Sequence, residues 1–165
     1  MTQAEFIKKY YPIAAKARKG TRIFTSTILT QAAVESGYGT SELSKKANNF
    51  FGIKHFGKYP KKYGDYRAYD SPAECFRNYV KFLYENSRYQ DAINAKNASK
   101  QLELIAQAGY AEAKNYNSVL QNVLENISPL VLKAYEAMKK NQKNILIGTA
   151  ILTGALLYKN SQKNG

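Results

Sequence analysis

The residue of this sequence best placed for acid–base chemistry is Glu35. It follows Ile28 and Ala32 at helical spacing, and at 100° per residue it falls within about 40° of Ile28 on a helical wheel. Apolar surroundings disfavour a charged carboxylate, so the pKa of such a group rises and it can hold a proton near neutral pH. Cleavage of a glycosidic bond needs such a proton, because the leaving oxygen must be protonated as the bond breaks. On pattern alone, a glutamate that turns to water at a helix end is the commoner outcome.

Chemistry based on metals or thiols is not indicated. The 165 residues include one cysteine, Cys75, and one histidine, His55. These are too few for an intramolecular disulfide or for a zinc site built from histidine and cysteine. We therefore expect no metal and no cofactor.

The charge of the chain constrains its partners more than its fold. The net charge is +13, and 14 tyrosines occur without any tryptophan. Such a surface attracts polyanions: nucleic acid, anionic lipid or a cell wall that carries carboxylates. Lysines and aromatic residues alternate over residues 50–67, an arrangement that suits single-stranded nucleic acid, sugar rings or a solvated loop.

The elements that must position Glu35 are predicted to be mainly helical. Residues 48–69 lack a helical period and are punctuated by glycine and proline, which predicts a short hairpin or loop lobe. Ser71-Pro72-Ala73-Glu74 supplies an N-cap, a proline at the first helical position and a capping-box glutamate. The other predicted helices cover residues 3–19, 25–36, 41–47, 99–108 and 117–126, and a last one begins at Ser128-Pro129.

The two ends of the chain differ in character. Residues 1–20 contain no unbroken apolar stretch and do not form a secretory signal. Residues 145–158 carry no charge and lie between Lys143 and Lys159, but they are fewer than the roughly 20 residues that a helical membrane span needs. We predict an apolar C-terminal helix that seeks a membrane, with a buried core helix as the alternative.

Four segments, in order, closely resemble glycoside hydrolase family 73. That family includes the peptidoglycan-hydrolysing domain of the flagellar rod-cap protein and many bacterial and phage autolysins. The resemblance covers about residues 5–127 and rests on QAAVESGYG (31–39), NNFFGIK (48–54), YRAYDS (66–71, continuing to Tyr79-Val80), and Gly109-Tyr110 followed by Tyr116. It implies a lysozyme-like fold, mainly α, whose helical body faces a small, reduced β-hairpin lobe.

The resemblance also implies roles for individual residues. Glu35 matches the general acid of the family, and Tyr116 and Tyr110 match tyrosines near the reacting sugar. Packing in the core is an equally weighted alternative for both tyrosines. The expected substrate-binding residues are Tyr38, Asn49, Phe51, Gly52, Lys54 and Tyr110.

The sequence departs from the family at the second carboxylate. Many members carry it in a Thr-x-Glu segment of the small lobe, whereas Asp65 is the only acid between Lys54 and Tyr66 here. Asp65 could act as the base, or the N-acetyl group of the substrate could replace it. A third role, filling a turn after Gly64, is favoured because aspartate is common in turns.

The expected reaction is hydrolysis of the β-1,4 bond after N-acetylglucosamine in peptidoglycan, although cleavage of the muramidase type is not distinguished. The expected organisation is a lysozyme-like glucosaminidase domain at 1–127, a helix and basic hinge at 128–144, and an apolar tail at 145–158. The partner would be peptidoglycan rather than nucleic acid, in the periplasm or outside the cell, reached through a phage virion, a pore or a secretion apparatus. The alternatives are a non-catalytic module that binds the wall or builds a virion, and a basic nucleic-acid binder.

Overall fold

Helices dominate the computed structural model, which describes residues 1–56 and 59–163, with the side chains of the last helix described as far as residue 146. Over these described ranges, the helices are α1 (Gln3–Ala17), α2 (Thr25–Ser36), α3 (Glu42–Ala47), α4 (Pro72–Glu85), α5 (Gln90–Ile93), α6 (Ala98–Gln107) and α7 (Tyr116–Lys163). A 3₁₀ turn covers Ser87–Tyr89, and the strands are β1 (Lys62–Tyr63) and β2 (Tyr66–Arg67). The predicted fold class, mainly helical with a small β-hairpin lobe, is confirmed.

Helix α2 is the buried centre of the body. Its apolar residues Ile28 and Ala32 are fully buried, and so are the polar side chains of Thr27, Thr30 and Gln31. Helices α1 and α6 both pack against it. It ends where Gly37 adopts the left-handed conformation (φ 55°), which glycine reaches without steric cost. A side chain in the last turn of α2 is therefore held between the core and a sharp turn.

Aromatic rings join the segment after α3 to the body. Phe50 lies 4.8 Å from Tyr10 of α1 and 5.6 Å from Phe76 of α4, measured between ring centroids. Phe51 stacks on Tyr79 of α4 at 4.0 Å. Each such pair stabilises the fold by about 0.5–1.5 kcal/mol beyond simple burial. These contacts fix the segment that leads into the small lobe.

The lobe is a two-stranded antiparallel hairpin in which Tyr63 pairs with Tyr66. Its two-residue turn is Gly64-Asp65, and Gly64 has a φ of 56°. A tight hairpin turn of this kind favours glycine at its first central position. Lys54 forms an isolated bridge to Tyr66, so the incoming chain lies beside the second strand.

The start of α4 differs from the prediction in one respect. Ser71 caps the helix by accepting a hydrogen bond from the N–H of Glu74 at 3.2 Å. The Glu74 carboxylate accepts from the N–H of Asp70 at 2.8 Å, not from that of Ser71, so the predicted capping box is wrong. The other oxygen of this carboxylate accepts from the Tyr59 hydroxyl at 2.9 Å. Glu74 is thus drawn towards the lobe.

The predicted start of a new helix at Ser128-Pro129 is also wrong, because α7 continues through Pro129. A proline inside a helix removes one backbone N–H and its hydrogen bond. Just before it, the Ser128 hydroxyl donates to the carbonyl of Leu124 at 2.6 Å. Residues 128–144, predicted as a helix and basic hinge, are helical throughout. Helix α1 likewise continues through Pro12.

Two compact units divide the chain, Met1–Val131 and Leu132–Gly165. Most of the predicted apolar tail at 145–158 lies outside the residues whose side chains are described; its first two residues, Ile145 and Leu146, are exposed. Over the described ranges, no helix is both long and apolar enough to cross a membrane.

A chain that ends at Asn141 should fold like the full chain. Among the residues whose side chains are described, the buried apolar ones run from Phe6 to Ile127, so the shortened chain keeps them and its melting temperature should stay within about 2 °C. A chain that ends at Ser118 is the control, because it loses Leu120 and Ile127, both fully buried. Thermal unfolding, followed by circular dichroism, is measured for both shortened chains. Loss of a cooperative transition in the chain that ends at Asn141 would show that residues after Asn141 belong to the core.

Candidate active site

Glu35 lies in the last turn of α2, partly buried, and its two carboxylate oxygens have different surroundings. Oε1 accepts a 2.5 Å hydrogen bond from the hydroxyl of Tyr116. Oε2 faces Gly52, where a Cβ atom, if one were present, would lie 3.6 Å from it. The carboxylate is therefore held on one side by a tyrosine and bounded on the other by bare backbone.

Burial raises the pKa of the Glu35 carboxyl, and the hydrogen bond from Tyr116 opposes this with a smaller lowering effect. The carboxyl therefore keeps its proton to higher pH than an exposed glutamate does. Burial, and secondarily the nearby Glu35 charge, raise the pKa of Tyr116. The Tyr116 hydroxyl thus stays protonated and serves as a hydrogen-bond donor. The raised pKa of the Glu35 carboxyl agrees with the apolar helix face predicted for it.

A buried chain of hydrogen bonds continues behind Tyr116. The Gln31 amide donates to the Tyr116 hydroxyl at 2.8 Å, and the Tyr79 hydroxyl donates to the carbonyl oxygen of Gln31. Sequence reasoning missed Gln31 as a site residue. The signal was available, because Gln31 precedes Glu35 by four positions and so lies on the same helix face.

The two predicted cleft tyrosines, Tyr110 and Tyr116, both border this chain. Their rings are parallel, with centroids 6.3 Å apart. Tyr116 also packs against Leu102 and Leu120, and the Tyr110 hydroxyl donates to the carbonyl of Phe51 at 2.8 Å. Both tyrosines therefore contribute to packing, and their position near a reacting sugar stays a prediction.

Asn49 and Phe51, expected to bind substrate, have buried side chains that are each 1% exposed. Asn49 donates to the carbonyls of Ile53 and Arg67, and its carbonyl oxygen accepts from the N–H groups of Phe51 and Ile53. Both side chains therefore point away from the surface, and contact with substrate stays a prediction for these two residues. Their role is to shape the backbone around Gly52.

The remaining expected substrate-binding residues border the site to different degrees. Gly52 has a φ of 61°, which favours glycine, and it faces Glu35. Lys54 is exposed at the base of the lobe. Tyr38 also has a positive φ, 55°, and its hydroxyl accepts from the side-chain amide of Gln3 at 3.1 Å. Tyr38 is thus tied to the start of α1.

Asp65 lies at the exposed tip of the hairpin. Its carbonyl accepts from the N–H of His55 at 2.8 Å, and beside it lies an open pocket of about 430 Å³ that Lys54 and Lys62 also line. Asp65 lies outside the hydrogen-bond chain from Tyr79 to Glu35. Among the described residues, no group of three or more histidine, cysteine, aspartate and glutamate side chains could hold a metal ion.

Comparison with protein families and sequences gives consistent matches. A family model described as mannosyl-glycoprotein endo-beta-N-acetylglucosaminidase matches residues 11–129. The peptidoglycan hydrolase FlgJ of Pseudomonas aeruginosa is 31% identical over 68% of this chain and 34% of its own length. FlgJ of Vibrio parahaemolyticus is 28% identical over 76% of this chain and 47% of its own length. The chain therefore spans between a third and a half of the length of these curated relatives.

Solved structures share the fold. The glycoside hydrolase domain of Salmonella typhimurium FlgJ matches with a TM-score of 0.70 and 25% identity, covering 87% of this chain and 99% of the domain. The catalytic domain of the Listeria monocytogenes autolysin Auto matches with a TM-score of 0.65 and 26% identity, covering 79% of this chain and 86% of that one. Together with the family model, these likenesses confirm the predicted glycoside hydrolase fold.

Substitution Gly52→Ala should lower the rate of glycan cleavage by more than its loss of stability explains. The new methyl group would contact Oε2 of Glu35 at 3.6 Å, and the positive φ would cost about 1–2 kcal/mol. Gly20→Ala is the matched control, because Gly20 also has a positive φ (77°) but has open space around its Cβ position. Melting temperature and glycan cleavage are measured for both. Equal activity in the two variants would show that Gly52 does not border the reacting group.

Proposed function

We propose that this chain, which belongs to the glucosaminidase family, hydrolyses the β-1,4 bond after N-acetylglucosamine in peptidoglycan. The resemblance to glycoside hydrolase family 73 is confirmed by the family model over residues 11–129. Relatives named as peptidoglycan hydrolases support peptidoglycan as the substrate. The observation that carries the proposal is the partly buried Glu35 carboxyl, which a tyrosine holds at one oxygen and bare backbone borders at the other.

The first step we propose is proton donation by Glu35. As the bond between the anomeric carbon and the bridging oxygen breaks, the Glu35 proton moves to that oxygen, which leaves as a hydroxyl. Glu35 is left as a carboxylate, and the Tyr116 hydroxyl, donating at 2.5 Å, stabilises the charge. The carboxylate can then remove a proton from the attacking water, which restores the acid.

The second group in our proposal comes from the substrate. Asp65 is exposed and occupies a two-residue turn, which supports the turn role favoured from the sequence. The carbonyl oxygen of the substrate N-acetyl group would attack the anomeric carbon and form a cyclic oxazolinium ion. Water, deprotonated by Glu35, would open this ring and release the sugar with its N-acetyl group intact.

The substrate would place this chemistry in the cell wall, in the periplasm or outside the cell. Membrane association through residues 145–158 and delivery in a phage virion stay predictions from the sequence. The net charge of +13 supports attraction to a wall that carries carboxylates.

Substitution Glu35→Gln should lower the rate of wall cleavage at least about 100-fold, as expected when a general acid is removed. Release of reducing ends from purified peptidoglycan gives the rate, and mass spectrometry of reduced products identifies the sugar at the new end. Glu125→Gln is the control, because Glu125 lies exposed on α7. Near-normal cleavage by Glu35→Gln would show that Glu35 is not the general acid. An inactive wild-type chain would support a non-catalytic wall-binding module.

The same variant should also change the pH dependence of stability. Because the folded-state pKa of Glu35 is raised, its ionisation opposes folding: the effect is absent below the unfolded-state pKa and grows as pH rises through the folded-state pKa. Glu35→Gln should therefore melt at or above the wild-type temperature at pH 7. The check is the melting temperature of Glu35→Gln minus that of wild type, measured at pH 4 and at pH 7. If this difference were lower at pH 7 than at pH 4, burial would not be raising the pKa of Glu35.

Substitution Asp65→Asn should leave the rate within about threefold of wild type, and a thiazoline analogue of the substrate should inhibit both proteins. Asn keeps the turn preference of Asp while removing the charge. The rate is measured on purified peptidoglycan. A loss of about 100-fold would instead identify Asp65 as the catalytic base, and retained activity without inhibition would exclude both Asp65 and the N-acetyl group.

A further inference from the structure

The hydrogen bonds behind Glu35 all run in one direction. The Tyr79 hydroxyl donates to the Gln31 carbonyl oxygen, the Gln31 amide donates to the Tyr116 hydroxyl, and the Tyr116 hydroxyl donates to Oε1 of Glu35. Tyr79 and Gln31 are fully buried, and Tyr116 is 6% exposed. In such surroundings a donor that lacks an acceptor within the protein costs about 1–3 kcal/mol.

We propose that Gln31 is a positioning residue that fixes the direction of the Tyr116–Glu35 hydrogen bond, so that the reactive proton of Glu35 resides on Oε2. This inference rests on the proposed function only in calling that proton reactive. Gln31 does not contact the substrate. It acts through Tyr116. The amide N–H of Gln31 donates to the Tyr116 hydroxyl oxygen, so the hydroxyl proton points at Glu35 instead.

The orientation of the Gln31 amide follows from its neighbours. The buried Tyr79 hydroxyl has one proton to donate, and the carbonyl oxygen of Gln31 accepts it. Reversing the amide would aim its NH₂ group at Tyr79 and leave that proton without this acceptor. The NH₂ group must therefore face Tyr116, which makes Tyr79 the fixed end of the chain.

The observed direction also serves both protonation states of Glu35. An ionised carboxylate only accepts hydrogen bonds, so it needs Tyr116 as a donor. A protonated carboxyl can still accept at Oε1 while its proton lies on Oε2. The reverse direction would require the Glu35 proton to lie on Oε1 and point at Tyr116, which would withdraw it from any substrate.

The surroundings of Oε2 fit this assignment. Gly52 adds no side chain there, and even a Cβ atom would lie 3.6 Å away. Because the Tyr116 hydroxyl donates its proton to Oε1 of Glu35, that proton is unavailable to hold the attacking water. The asymmetry of the two oxygens thus separates a structural contact at Oε1 from the reactive position at Oε2.

The isosteric variant Gln31→Glu tests the direction. While the introduced carboxyl is protonated, it can accept from Tyr79 and donate to Tyr116 as glutamine does. Once ionised, it only accepts, so the Tyr116 proton turns away from Glu35. We expect the ratio of variant to wild-type kcat to fall at least about tenfold as the introduced carboxyl ionises, which is followed by ¹³C NMR.

Charge alone predicts the opposite trend. A new negative charge raises the pKa of Glu35 and keeps it protonated to higher pH, so the kcat ratio would rise with pH. A role in packing alone predicts a constant ratio. Either a constant or a rising ratio across that ionisation would overturn the proposal. Gln101→Glu is the control, since Gln101 is also fully buried but bonds to Phe24, Arg22 and Ala92, and its ratio should stay constant.

Neutron diffraction on the deuterated wild-type chain decides the question without any activity. The deuteron of Tyr116 should lie on the line to Oε1 of Glu35, and a deuteron that points at Gln31 would overturn the proposal. This result stands if Gln31→Glu fails to fold. It also separates the two proposals, because a chain that cleaves no glycan would refute the proposed function and leave the deuteron position as the test of direction.

Discussion

The site depends on one 2.5 Å hydrogen bond between Tyr116 and Glu35, residues that are 81 positions apart in the chain. A carboxyl that is to donate a proton must lose much of its water, yet its charged form must be tolerated after donation. Burial at the end of α2 meets the first requirement and the Tyr116 hydroxyl meets the second. The rest of the body holds these two groups together, and the backbone at Gly52 borders the other carboxylate oxygen.

Much of the core can be understood as support for that contact. Burying α2 on nearly every side places Gln31 and Glu35 in a fixed orientation, and α4 brings Tyr79 behind Gln31. The Asn49 side chain binds the backbone of Phe51 and of Ile53, on either side of Gly52. Buried polar networks stabilise a unique arrangement only when their members are satisfied, and each of these residues has partners at the required positions.

The sequence predicted what depends on local order. The helical spacing of Ile28, Ala32 and Glu35 predicted the orientation of α2, and the Ser71-Pro72 pair predicted the start of α4, because caps and periodicity act within one or two turns. The bonds from Gln31 to Tyr116 and from Asn49 to Arg67 could not be predicted in this way, since they join residues 85 and 18 positions apart in the chain. The break expected at Pro129 failed because a proline removes only one of many helical hydrogen bonds.

The most direct test of this account is an NMR titration of the Glu35 carboxyl carbon in the full chain. We expect a pKa above the ordinary value of 4.5, equal to the pKa that governs the loss of kcat/KM at high pH, because kcat/KM follows the protonation of the free enzyme and the same proton is titrated and transferred. A Glu35 that titrates at or below the ordinary value, or a rate profile that follows another group, would contradict it.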